Sequence, residues 1–217
     1  MAAVDEVRPP LRRIGAELVL PGLVVVAVNV AVVRAAGFLE QRTRYDLGSL
    51  PFYGLWMLLA AAWSLAVPDD ARVPLRIARA RGSWGSVAIL AAIVVASMAM
   101  YSQSVTRVAH GQVHPPRVLG PFLGGGVVGP VVEEWIFRGL LWNRCTALLP
   151  KRAGRIVAVL WTSIVFGLWH LPFEQQPQPV VHAVFGALMA MLRWRFDSIL
   201  PACVIHAVGN SLWHFTA

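Results

Sequence analysis

The chain has 217 residues, 57% of them hydrophobic and only 14% charged, with a mean hydropathy of +0.62. A soluble domain carries about 25% charged residues, so the composition excludes an ordinary water-soluble globule and describes a single membrane domain over residues 1–217. The formal charge of +8 does not make a nucleic-acid binder, because the basic residues punctuate apolar runs instead of gathering into a patch; loops that face anionic lipid look this way.

A helix needs about 20 residues to cross about 30 Å of hydrocarbon. Seven candidate spans follow in chain order: 14–33, 47–67, 84–101, 119–142, 156–171, 179–192 and 199–215. The predicted fold is therefore all-α, a polytopic membrane helix bundle of about seven transmembrane helices. The sixth span is short, which suggests a tilted, broken or partly interfacial segment. Trp84, Trp142, Trp161 and Trp213 fall near span ends, as interfacial anchors do.

The first apolar run is longer than a signal-peptide core, and its small-residue end carries Arg34, so it reads as a retained helix. The stretch 72–81, with Arg72, Arg76 and Arg79 at helical spacing, reads either as a basic amphipathic segment on the membrane surface or as an ordinary loop. Thirteen Lys and Arg lie in the N-terminal tail and in the loops 68–83, 143–155 and 193–198, against five in the alternate loops. The positive-inside rule then places the N-terminus in the cytoplasm. Cys145 and Cys203 show no paired spacing and imply neither a disulfide framework nor a zinc motif of their own.

Three polar groups interrupt this pattern at membrane depth, where an ionisable side chain costs roughly 3 kcal/mol to insert. The first is Glu133-Glu134-Trp135-Ile136-Phe137-Arg138. On a helix Glu134 and Arg138 share a face and can pair, whereas Glu133 lies about 100° round the axis. One carboxylate is then braced by arginine and the other is left to take a proton from water. The alternative is a purely structural Glu–Arg brace between helices. Upstream, Gly124-Gly125-Gly126 and Gly129-Pro130 allow close packing, or a helix break that lines a cavity.

The second group is Phe166-Gly167-Leu168-Trp169-His170, which puts Phe166 and His170 on one face before Pro172. The third is His206-Ala207-Val208-Gly209-Asn210, again with both polar side chains on one face. Together His206 and Asn210 can hold the oxyanion of a tetrahedral intermediate, or the histidine can ligate a metal. His214 extends the row by a turn but lies near the chain end and reads as interfacial; His182 is not assigned a role.

These three segments, Glu133-Glu134-x-x-x-Arg138, Phe166-x-x-x-His170 and His206-x-x-x-Asn210, resemble the family of intramembrane proteases that includes the type II CAAX prenyl endopeptidases and the bacterial Abi and bacteriocin-immunity proteins. The likeness covers residues 119–217. It implies a site between the C-terminal helices in which Glu133 activates the attacking water, with His170 assisting it. His206 and Asn210 would stabilise the oxyanion, with Glu134, Arg138 and Phe166 in support. The family has been described both as glutamate and as metalloproteases. The glutamate reading, with no cofactor, is favoured; a Zn2+ reading would place the metal on Glu133, His170 and His206. The substrate implied is a peptide or membrane protein, within the lipid bilayer of a bacterial plasma membrane, the Ala/Val/Arg-rich composition looking bacterial. A non-catalytic adaptor or immunity protein on the same fold would not need all of these polar residues. A transporter would spread ionisable groups over paired repeats, and none is visible.

Overall fold

The computed structural model describes residues 11–43, 49–67, 122–172 and 178–216. Among them there are six helices and no strand: α1 (Leu11–Thr43), α2 (Ser49–Ala66), α3 over 122–148, α4 (Lys151–Trp169), α5 (Gln178–Phe196) and α6 (Leu200–Thr216). The expected span 84–101 and the basic stretch 72–81 lie outside the described residues. Among the described residues two stretches are long and apolar enough to cross a membrane, Gly15–Ala35 within α1 and Lys151–Trp169, while Phe52–Ala66 in α2 is shorter. The all-α class therefore stands, and the count of about seven spans stays an expectation.

The burial pattern is inverted relative to a water-soluble bundle. Leu58 is 69% exposed, and Leu20, Leu160, Val184 and Val204 also point outward, whereas Asn29, Glu133, Glu134, Arg138 and His206 are buried. Lipid accepts the outward side chains at no cost, and the polar groups gain partners only inside the bundle.

Helix α3 is built of four segments of differing width. Phe122–Val128 and Trp135–Leu141 are π-helical, flanking α-helical Gly129–Glu134 and followed by α-helical Trp142–Leu148. Pro130 accounts for the first widening, because it has no N–H for the carbonyls one turn back and its ring would clash with them. The freed carbonyls find donors on α6: Asn210 Nδ2 donates to Gly125 O at 3.0 Å, and Ser211 Oγ to Gly126 O at 3.4 Å. Helix α6 is thereby fixed against the first turns of α3.

Helix α4 ends just ahead of Pro172, which disfavours helical geometry in the residue before it. Its terminal carbonyl at Trp169 accepts a hydrogen bond from Asn29 Nδ2 of α1 at 2.7 Å, which satisfies one of the orphan acceptors of a helix end. Trp169 also anchors an aromatic cluster, with ring centroids 4.4 Å from Trp56 and 5.4 Å from Phe137.

Two expectations change here. The sixth expected span is an unbroken helix that continues to Phe196, so Arg193, which the loop count treats as a loop charge, belongs to α5 and is buried. Trp142 is not an interfacial anchor; α3 runs on to Leu148, and the indole packs inside with Cys145, Ala158 and Ala190. After α5 the chain turns sharply through Asp197, whose φ is 49°, and Ser198 Oγ accepts from the Leu200 N–H at 3.2 Å as α6 begins.

Candidate active site

The polar residues meet where α3 faces α2, α5 and α6. Glu134 and Arg138 pair as their spacing implies, with Arg138 Nη1 3.2 Å from Glu134 Oε1 and both side chains fully buried. The Arg138 guanidinium also donates to the Gly186 carbonyl of α5 at 2.7 Å and lies 4.7 Å from the centroid of the Phe166 ring. Gly186 gives the guanidinium room for this approach, since a Cβ there would stand 3.0 Å from Arg138 Nη2.

His206 joins the pair from α6, its Nδ1 2.9 Å from the same Glu134 oxygen. Against a carboxylate, that nitrogen carries the proton and donates it. The other ring nitrogen, Nε2, then faces Glu133 Oε2 at 3.7 Å. Phe185 packs edge-on against the imidazole, 4.9 Å between centroids, so the ring is held by a polar contact at one edge and an apolar one at its face.

Glu133 has a partner that the sequence reading did not find. Tyr53 of α2 donates its hydroxyl to Glu133 Oε1 at 2.9 Å. The phenol fits because residue 129, one turn before Glu133, is glycine: a Cβ there would sit 2.6 Å from Tyr53 Cζ. The second oxygen, Oε2, accepts no hydrogen bond among the described residues although the side chain is 2% exposed. A buried carboxylate oxygen without a donor is rare and calls for water or ligand. Only the presence of a phenol in the apolar α2 could have hinted at Tyr53.

His170 packs beside Phe166 as expected, with centroids 4.7 Å apart. Its Nδ1 lies 2.9 Å from the Phe166 carbonyl, which can only accept, so Nδ1 carries the proton and Nε2 of the neutral ring is an acceptor. The His182 ring, which was given no role from sequence, stacks on His170 at 3.8 Å and 12°. Phe166 touches both catalytic candidates, lying 5.9 Å from His206 by centroid. Asn210 is not turned to His206; its amide is tied to Gly125 as described, with one N–H of the amide left to donate elsewhere.

The Zn2+ alternative places Glu133, His170 and His206 on one ion. Among the described residues no three His, Cys, Asp or Glu side chains are grouped as a metal site. Neither Cys145 nor Cys203 forms a disulfide among the described residues.

Residues 115–212 match the family model of the Rce1-like type II CAAX prenyl endopeptidases. Over these residues the chain is similar to that family. No curated protein and no solved structure matches the chain. The matched residues hold Glu133, Glu134, Arg138, Phe166, His170, His206 and Asn210, and the family is one of membrane-embedded proteases. Tyr53 lies outside them, so the N-terminal helices contribute to the same polar cluster.

Proposed function

We propose that the chain is an intramembrane endopeptidase that hydrolyses a peptide bond of a membrane-associated substrate with a water activated by Glu133. The observation that carries this reading is the Glu133 carboxylate itself: buried, held through one oxygen by Tyr53, and offering the other beside His206 Nε2. Two groups 3.7 Å apart can both hydrogen-bond to one water seated to their side.

In this reading Glu133 Oε2 takes a proton from that water as the oxygen attacks the scissile carbonyl carbon. The π-electrons of the carbonyl move to oxygen, giving a tetrahedral oxyanion. The free Asn210 N–H donates to that oxyanion, and so does His206 Nε2 when it carries a proton. Collapse breaks the C–N bond, and Glu133 returns its proton to the leaving amine. His170 assists as an acceptor that orients water. Arg138 pairs with Glu134 and holds it in place. No metal enters these steps.

The family name makes a peptide following a prenylated cysteine the first substrate to test. Purified protein in detergent is incubated with such a peptide and with a library of membrane-protein peptides, in H218O, with and without a zinc chelator. The proposal predicts one 18O in each new carboxylate and equal rates in both arms. Cleavage abolished by the chelator contradicts the metal-free route, and no cleavage of any peptide contradicts the protease reading.

A further inference from the structure

The second widened turn of α3 has no proline to explain it. At its end the Trp142 N–H bonds to the carbonyls of Phe137 and Gly139. It thereby passes over the carbonyl of Arg138, the partner it would have in an α-helix. That carbonyl is met from another helix: Arg193 Nε donates to Arg138 O at 3.1 Å. Arg193 is 4% exposed although it is charged. Its remaining nitrogens donate to Asp197 Oδ1 at 2.7 Å and to Asn143 Oδ1 at 3.5 Å, and its guanidinium lies 5.6 Å from the centroid of the Trp142 ring.

Gly186 and Arg193 are seven residues apart on α5, hence on one face. Through them α5 holds residue Arg138 twice, by its guanidinium at Gly186 O and by its carbonyl at Arg193 Nε. The first of these ties is made by the guanidinium that also pairs with Glu134 in the Glu134–Arg138–His206 cluster. Rewinding the turn to α geometry would change the phase of α3 across it by about one residue, or 100°. A buried carbonyl that loses its donor gives the helix reason to rewind.

We propose that Arg193 is a positioning residue for the active site, holding the wide turn of α3 open so that the Arg138 guanidinium meets Glu134, the carboxylate that holds His206 Nδ1. The inference rests on the catalytic reading above for its kinetic consequence, but its structural consequence can be read without any substrate. A lysine at this position keeps the positive charge near Asp197 but has no Nε–H to donate alongside it.

The test uses full-length protein in micelles with 15N-labelled histidine, the His206 ring signals being assigned by their loss in His206→Gln. Arg193→Lys is expected to shift the His206 Nδ1 signal away from its hydrogen-bonded position, and Asp197→Asn, which removes only the exposed partner of Arg193, to leave it in place. Where a cleavable peptide is in hand, Arg193→Lys should lower kcat by about 10²-fold with KM within about twofold. An unchanged His206 spectrum in folded Arg193→Lys overturns the proposal. An equal shift in Asp197→Asn overturns it too, because the ion pair and not the carbonyl would then be responsible. Failure of Arg193→Lys to fold while Asp197→Asn folds would mark Arg193 as structural only, which also overturns it. Absence of cleavage by the wild type, with the shift present, would count against the enzyme reading alone.

Discussion

Gly129 and Tyr53 form one functional unit with Glu133, and they can be tested as one. Tyr53→Phe removes the only hydrogen bond that Glu133 accepts among the described residues, and a bond to a charged group is worth about 1.5–3 kcal/mol. Turnover should fall about tenfold or more. Gly129→Ala pushes a methyl group into the phenol and should lower turnover comparably. Since both act through the same contact, the double variant should be little worse than either single one; a multiplicative loss in steady-state kinetics would separate them. Pairing of Glu134 with Arg138 was legible from their four-residue spacing, because a helix makes that contact locally. Tyr53 was not legible, since 80 residues separate it from Glu133 and only the packing of α2 on α3 brings them together. The stacking of His182 on His170 was hidden for the same reason.

At the scale of the helix, α3 carries most of the polar cluster, and its irregular turns set where those residues point. The Gly-rich stretch and Pro130 announced the first wide turn, and the structure adds what it does: it releases carbonyls for Asn210 and Ser211. The second wide turn has no such signature, because its stabilising donor, Arg193, comes from α5. Reading Arg193 as a loop charge was the cost of ending that helix at residue 192, four residues early. Arg138→Ala tests how far the helix depends on its buried ion pair. Removing one partner of a buried pair costs about 3–5 kcal/mol, and here it leaves the Glu134 carboxylate with His206 alone and takes the guanidinium donor from the Gly186 carbonyl. Thermal unfolding in detergent should show a large loss of stability, whereas a melting curve equal to that of the wild type would mean that Glu134 finds another partner.

Across the whole molecule, the helix contacts bear on topology. Arg144, near the end of α3, pairs with Glu17, near the start of α1, at 2.9 Å, and Leu20, Trp63, Val67 and Arg144 line one apolar groove. The start of α1 and the ends of α2 and α3 therefore lie at one end of the bundle, and Phe122, at the far end of α3, lies at the other. The expected span 84–101 would join Val67 to Phe122, which is why about seven spans remain the proposed topology, with the N-terminus cytoplasmic from the loop charges. Cysteines introduced at Val67 and Phe122 should then react with an impermeant maleimide from opposite sides of the membrane, and labelling from one side would contradict this. Composition alone announced the membrane class, because 57% hydrophobic residues leave no other solvent for the outer face.

Everything proposed for the chemistry converges on one carboxylate. Glu133→Gln changes its shape hardly at all, keeps an acceptor for Tyr53 and removes the base. The measurement is kcat for peptide cleavage by Glu133→Gln and wild-type protein, each shown to be folded by its melting transition. A water-activating Glu133 predicts a fall of about 10²–10⁴-fold or more in the variant, with the fold intact. Wild-type turnover in folded Glu133→Gln would contradict the account.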